Sequence, residues 1–314
     1  MTDFQKKNIK TIAKFLVSIL GLAFIFHKVP FSEVYDKWHV SMLPWVLAML
    51  VTTQISMMIQ ANRWKGLSVK GPSIPFKTYY AYIVLGYFFN SLLPSGVGGD
   101  AVKSVAFGKR FNQTAQSVAA VLLSRIQGLL ALLLLFFIAL PFVLAKYDIP
   151  LIYSLGMLGA CVLSLGLVIA CLFSDKIHIF SPLRKRIPFL EKLQESLSIY
   201  RSHKKQLLLS SFDSLWLQLL SMATHYFYFR AVGFEINIAT VTVFTAITVM
   251  FTMLPIAFNG VGIREWMQVT LYSGILGMDA SLVLAASLLG YILLLFQVIQ
   301  GAFVLTRVNL SATS

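Results

Sequence analysis

Leu93-Pro94-Ser95-Gly96-Val97-Gly98-Gly99-Asp100 breaks an apolar run that extends from about 77 to 107. Proline removes a backbone donor and glycine lowers helix propensity, so no regular helix passes through this stretch. A second apolar run, 238–277, is broken by Leu254-Pro255-Ile256-Ala257-Phe258-Asn259-Gly260-Val261-Gly262-Ile263-Arg264-Glu265. Each break carries a Leu-Pro followed by a tetrad, Ser95-Gly96-Val97-Gly98 in one and Asn259-Gly260-Val261-Gly262 in the other. In hydrocarbon, non-helical backbone survives only where protein or a water-filled cavity surrounds it. The two breaks are therefore expected to lie inside a helical bundle as re-entrant or broken hairpins.

Working outward, six unbroken apolar runs fall near 11–29, 43–62, 115–145, 151–173, 207–230 and 280–305. Each is about the 20 residues that a membrane-crossing helix needs. The 314-residue chain is 58% hydrophobic and only 12% charged, where a soluble domain carries about 25% charged residues. The runs do not alternate apolar and polar residues, which argues against a transmembrane β-barrel. The expectation is an all-α integral membrane protein, 1–314 as one domain, with about six full spans and two hairpins.

The net charge of +14 would suggest nucleic acid in a soluble protein. Here the basic residues cluster at the ends of apolar runs, where they set topology, and no basic stripe interleaves with exposed aromatics. The basic N-terminus, the segment Arg63 to Lys77, the residues Lys103, Lys109 and Arg110, and the segment 174–206 all read as cytoplasmic. Both termini are then cytoplasmic in a cell inner membrane, and the apolar stretch Phe15–Phe26, with no cleavage site after it, reads as an uncleaved span. The first hairpin opens inside and the second outside. Halves of about 1–150 and 151–314 with opposed topology form the pattern of an inverted repeat, in which paired interrupted segments mark a midplane substrate site. The segment Pro188–Gln206 reads either as an interfacial helix or as a solvated loop.

Charged residues at membrane depth are costly and mark function or structure. Asp100 follows Gly99, with Lys103 three residues on and able to pair with it; an N-cap role is the alternative. Arg125 lies about ten residues into the third unbroken run, about 15 Å deep at 1.5 Å per residue, and must pair with a carboxylate, a carbonyl end or a bound anion. Arg264-Glu265 follows the second break, and Asn90 precedes the first and could cap it. His225 reads as a packing histidine, and Tyr226–Phe229 as an aromatic belt. Cys161 and Cys171 form no metal or disulfide pattern. No nucleophile elbow, phosphate-binding loop or zinc-protease motif is present, so neither an enzyme nor a cofactor or metal site is expected.

Asn90, the run Leu93–Ala101 and Lys103 resemble the signature of the membrane domain of lysylphosphatidylglycerol synthases and of its stand-alone, flippase-like relatives. Asn259–Glu265 is similar to that family's second motif, and Ser124-Arg125-Ile126-Gln127-Gly128 to its third. Two departures stand out. Ser124 replaces a frequent Asp, which leaves Arg125 to pair with Asp100 or a lipid. Lys103 replaces a frequent Arg, which forfeits bidentate phosphate contact. The resemblance implies lipid movement between leaflets, without aminoacylation. The expected substrate is an anionic phospholipid or a polyprenyl-phosphate-linked lipid. Its binding site would comprise Arg125, Lys103, Arg264, Asp100, Glu265 and Asn90, with the turn residues Ser95, Gly96, Gly98, Gly99, Asn259, Gly260 and Gly262 bringing backbone amides to the headgroup. The expected partners are membrane lipids, with a second copy of the chain or envelope-biosynthesis enzymes beside them and no nucleic acid. The rival expectations are an accessory or catalytic subunit of lipid-linked glycan assembly and a non-transporting scaffold.

Overall fold

The computed structural model describes residue 27 and residues 31–69, 73–93, 97–173, 188–254, 257 and 259–307. Among these, every regular element is helical: α1 (Phe31–Tyr35), α2 (Leu43–Leu67), α3 (Phe76–Leu92), α4 (Gly98–Arg110), α5 (Thr114–Leu144), α6 (Leu151–Leu172), α7 (Pro188–Ser198), α8 (Lys204–Ala231), α9 (Ile238–Met253), α10 (Ile263–Gln268) and α11 (Ala280–Leu305). A π-helical turn, Val269–Ser273, and a last turn, Gly274–Leu276, continue α10. The expected first span, 11–29, lies outside the described residues apart from His27.

Among the described residues, four stretches are long and apolar enough to cross a membrane: Val40–Leu67, Thr114–Leu144, Leu151–Leu172 and Ala280–Leu305. They match four of the expected spans. The fifth, 207–230, falls within α8, whose 28 residues reach about 42 Å at 1.5 Å per residue. Its composition is too polar to count by hydropathy, because Ser, Gln, Thr, His and Asp side chains recur along it. Helix α6 shows what such a bundle presents outward. Only Met157 and Ser164 are buried on it, while Leu151, Ile152, Val162 and Leu163 are each 64–70% exposed. Water would not tolerate so continuous an apolar surface, whereas lipid does.

Helices α3 and α4 form a tight antiparallel hairpin. A Cβ on Gly99 would sit 1.9 Å from the Gly86 carbonyl oxygen, and one on Gly86 would sit 2.7 Å from Lys103 Cδ. The glycines thus let the two backbones touch, and Phe107 fills the space below against Tyr79 and Tyr82. With 17 and 13 residues, the arms reach only about 25 and 20 Å, less than the roughly 30 Å hydrocarbon core. The second break makes a similar pair from α9 and α10. Its turn runs through Asn259, Gly260 and Gly262, with φ of 50°, 75° and 84°, a left-handed stretch that glycine adopts without a steric cost.

The core is assembled between the two halves as much as within them. α2 lies along α8, α5 against α9, and α11 against α3. Gly301 of α11 meets the Phe88 side chain of α3. Gln54 of α2, Tyr80 of α3 and Gln300 of α11 form a closed hydrogen-bond ring, with Tyr80 Oη donating to Gln54 Oε1 at 2.6 Å and Gln300 Nε2 donating to Tyr80 Oη at 2.9 Å. Gln127 of α5 reaches Leu207 O and Ser211 Oγ of α8 and accepts from Ser210. Of the two readings of Pro188–Gln206, the helix is the one seen. This helix, α7, is docked on α5 and α6, and beyond it Tyr200 is buried and donates to Leu67 O at 2.7 Å. The expected aromatic belt, Tyr226–Phe229, is corrected at two of its four residues. Tyr228 and Phe229 are core residues, with Phe229 against Tyr272 at 4.4 Å.

Replacing Gly99 by Ala should destabilise the protein by about 3 kcal/mol, the upper part of the usual overpacking range, because the new methyl must displace backbone. Gly156→Ala, whose Cβ meets nothing within 4 Å, should be neutral or stabilising. Thermal unfolding in detergent separates the two.

Candidate functional site

The first break is built from its backbone outward. Helix α4 begins at Gly98 after Val97, which offers no side-chain cap, so the first amides need a partner from elsewhere. Asn90 supplies it: its Oδ1 accepts from Gly99 N at 2.7 Å, the capping role expected of it. Asp100 is therefore not an N-cap. It sits in the first turn of α4, where a negative charge is favoured by the helix dipole. Its carboxylate, about one-tenth exposed, pairs with Lys103 Nζ at 2.5 Å through Oδ1 and with Arg125 Nε through Oδ2. Arg125 thus finds on α4 the carboxylate that Ser124 does not provide. Ser124 donates instead to Ala120 O at 2.7 Å.

These groups open onto a cavity of about 490 Å³ enclosed by α2, α3, α4, α5, α8, α9 and α11. Asn90, Asp100, Lys103 and Arg125 line one part of it, and Gln218, Ser221, His225 and Tyr228 of α8 another. The size falls within the range of small-molecule sites, and polar side chains outnumber the Leu, Ile and Val residues of its walls. His225 Nδ1 donates to Ser221 O at 2.8 Å; the carbonyl can only accept, so Nδ1 carries the proton. The ring lies edge-on to Tyr228 at 5.1 Å. It is the packing histidine expected, with the cavity on one side.

The second charged pair is placed differently. Glu265 is fully buried. Its Oε2 accepts from Gly262 N at 2.8 Å, and its Oε1 from Arg264 Nη2 at 2.6 Å and Nε at 2.9 Å. Tyr291 and Ser287 of α11 also donate to Oε1, at 3.2 and 3.4 Å. The guanidinium stacks 4.6 Å from the Tyr291 ring centre and meets Gly290, whose other neighbour is the Tyr228 hydroxyl. Arg264 and Glu265 therefore stand behind the Tyr228 wall and are not among the cavity's lining residues. Asn259, Gly260, Gly262, Gly98 and Gly99 do not line it either. The Gly99 and Gly262 amides are already taken by Asn90 and Glu265, so they are not presented to a ligand. Ser95 and Gly96 lie outside the described residues.

One residue that sequence reading assigned to a cytoplasmic loop belongs to the site. Arg63 is in α2 and lines the cavity, donating through Nη1 to Ser214 Oγ at 2.8 Å. The signal was present in the sequence: Thr53, Ser56, Gln60 and Arg63 recur at intervals of three, four and three, which is one helix face. All four line the cavity. On α8 the set Ser214, Gln218, Ser221, His225 and Tyr228 repeats that spacing, and all but Ser214 line the cavity, with Gln218 Nε2 donating to Gly128 O at 3.0 Å.

The sequence profile described as lysylphosphatidylglycerol synthase TM region matches residues 11–301. The chain belongs to that family. With the apolar helices above, membership makes it a multi-pass membrane protein with a membrane-lipid-related role. A comparison with curated proteins gives no match.

Removing one partner of a buried ion pair costs about 3–5 kcal/mol. Glu265→Gln should fall in that range, since it strands Arg264. Asp279→Asn, at the exposed pair with Lys37, should change stability by less than about 1 kcal/mol. Chemical denaturation in detergent reads both.

Proposed function

We propose that this protein moves a phosphate-bearing lipid between leaflets, as a flippase-like transporter. The supporting observation is that Asp100, Lys103 and Arg125 converge on a cavity whose remaining walls are largely apolar or neutral. A lipid headgroup crossing a membrane needs such a place, since an unpaired charge in hydrocarbon is prohibitive. Asp100 pairs with both cations while the site is empty and offsets one of their two charges. An arriving phosphate takes the charge-assisted hydrogen bonds that the carboxylate gives up. The cavity also has the requirement of a carrier, polar contacts on more than one helix, so that a headgroup can be released as the helices shift.

In this reading the α3–α4 and α9–α10 hairpins are re-entrant and opposed, and the two halves are inverted repeats. The pairings of α5 with α9 and of α3 with α11 support it, because a two-fold axis between the halves would exchange them. The breaks then lie near opposite leaflets. The membrane would be the cell inner membrane, with both termini cytoplasmic.

Reconstituted into liposomes with fluorescent phospholipids, the protein should accelerate leaflet exchange. Arg125→Ala should slow it at least about tenfold, the cost of one hydrogen bond to a charged group. Exchange that ignores this substitution would leave a scaffold or accessory role. After replacement of Cys161 and Cys171, single cysteines at positions 95 and 259 should label from opposite sides of the membrane. Labelling from one side would end the inverted arrangement.

A further inference from the structure

Resting on the lipid-transport reading, the charges around the cavity point to the class of headgroup. Three cations line it, Arg63, Lys103 and Arg125, against a single carboxylate, Asp100. The other nearby acids are otherwise engaged or turned away. Glu265 is held by Arg264, Tyr291 and Ser287. Asp213 acts on Arg63 through space without a direct ion pair; it hydrogen-bonds Asn62, is half-buried and is not a lining residue. The side chains that line the cavity therefore carry two positive charges in excess of Asp100.

Arg63 is set up as the third phosphate contact. Ser214 is fully buried, and its hydroxyl donates to Ser210 O at 2.7 Å, which turns a lone pair toward the guanidinium. That one contact fixes Nη1, while Nε is buried with no hydrogen-bond partner. A buried donor left unsatisfied costs free energy unless a ligand or water completes it. Arginine presents its donors as a planar fork suited to phosphate oxygens. Lys103 and Arg125 already share Asp100, whereas Arg63 makes no direct ion pair among the described residues and feels the carboxylate of Asp213 only at longer range.

We infer that Arg63 is a phosphate-binding residue and that the cavity takes a lipid with a doubly negative headgroup, a phosphomonoester or a diphosphate, in preference to a singly charged phosphodiester. A phosphodiester leaves one cation unmatched in a low-dielectric space. A dianion closes the balance and offers enough oxygens to reach three donor groups at once.

The test uses the full chain in phosphatidylcholine nanodiscs, with bound lipid counted by native mass spectrometry. Dioleoyl phosphatidate and dioleoyl phosphatidylglycerol share their tails and differ in charge at about pH 9, because only the phosphomonoester has a second ionisation. The wild-type protein should bind phosphatidate at least about tenfold more tightly, the worth of one hydrogen bond to a charged group. Arg63→Gln should bring the two lipids within about threefold of each other, mainly by weakening phosphatidate. Arg63→Lys should keep most of the preference. Equal affinity in the wild type, or an Arg63→Gln loss that strikes both lipids alike, would overturn the assignment while leaving lipid transport standing. Binding of neither lipid would remove both readings. Inorganic phosphate at the same concentration should not displace phosphatidate; displacement would show that a free anion, not a lipid, is the ligand. The wild-type comparison requires no variant to fold, and thermal unfolding checks the two that are used.

Discussion

A break in a helix inside hydrocarbon exposes amides that no water can reach, and each must be satisfied by the protein itself. This constraint governs both hairpins. At the first break Asn90 reaches forward across nine residues to the Gly99 amide. At the second, Glu265 reaches back three residues to the Gly262 amide. In each case a carboxylate occupies the third position of the helix that follows the break, Asp100 in α4 and Glu265 in α10. Negative charge there is favoured by the helix dipole, and a cation must then accompany it. Lys103 with Arg125, and Arg264, are those cations. The buried charge at both turns thus follows from the need to satisfy backbone amides that the protein shuts away from water.

The two solutions differ in what they leave free. Glu265 spends its oxygens on its own turn, its neighbour and α11, which makes the second cluster a closed structural joint. Asp100 spends nothing on backbone, because Asn90 has taken that task, so its carboxylate is available to a pair of side chains beside open space. The division explains why only one of two similar-looking motifs borders the cavity. It also separates the expected consequences of damage, stability at Glu265 and ligand handling at Asp100.

Much of this was legible in the sequence because the signals were local. Pro94 and Gly98, or Pro255 and Gly260, announce breaks through backbone chemistry alone, and Arg125 is conspicuous in a run of Leu and Ala. The partnership of Asn90 with the turn follows from proximity along the chain. Arg63 was missed for a physical reason. Helix α2 continues to Leu67, past the apolar run that ends near 62, and an arginine at a span's edge is ordinarily a topology marker. Only the three-four-three spacing of Thr53, Ser56, Gln60 and Arg63 separates a lining face from a flank, and hydropathy averages such a stripe away. Helix α8 is under-read by the same averaging, since Ser214, Gln218, Ser221 and His225 lower its apparent hydropathy while facing inward. The amide-donating role expected of the glycine turns could not be judged from sequence, because it depends on which side chain arrives first.

The stripes on α2 and α8 carry the argument one step further. These two helices lie along each other and meet through Thr52 and Thr224, whose hydroxyls are 2.8 Å apart, and through Arg63 and Ser214. They come from different halves of the chain, so the polar wall of the cavity is itself an interface between halves. Hydroxyl and amide contacts of this kind are weak individually in a membrane, about 0.6 kcal/mol on average. They also have many alternative partners along a polar stripe. A joint made of such contacts can slide or re-pair at little cost, whereas the Phe107 cluster and the glycine contacts of the α3–α4 hairpin cannot. Movement in this protein should therefore concentrate where its two halves meet around the cavity, with the charged hairpin carried as a rigid piece.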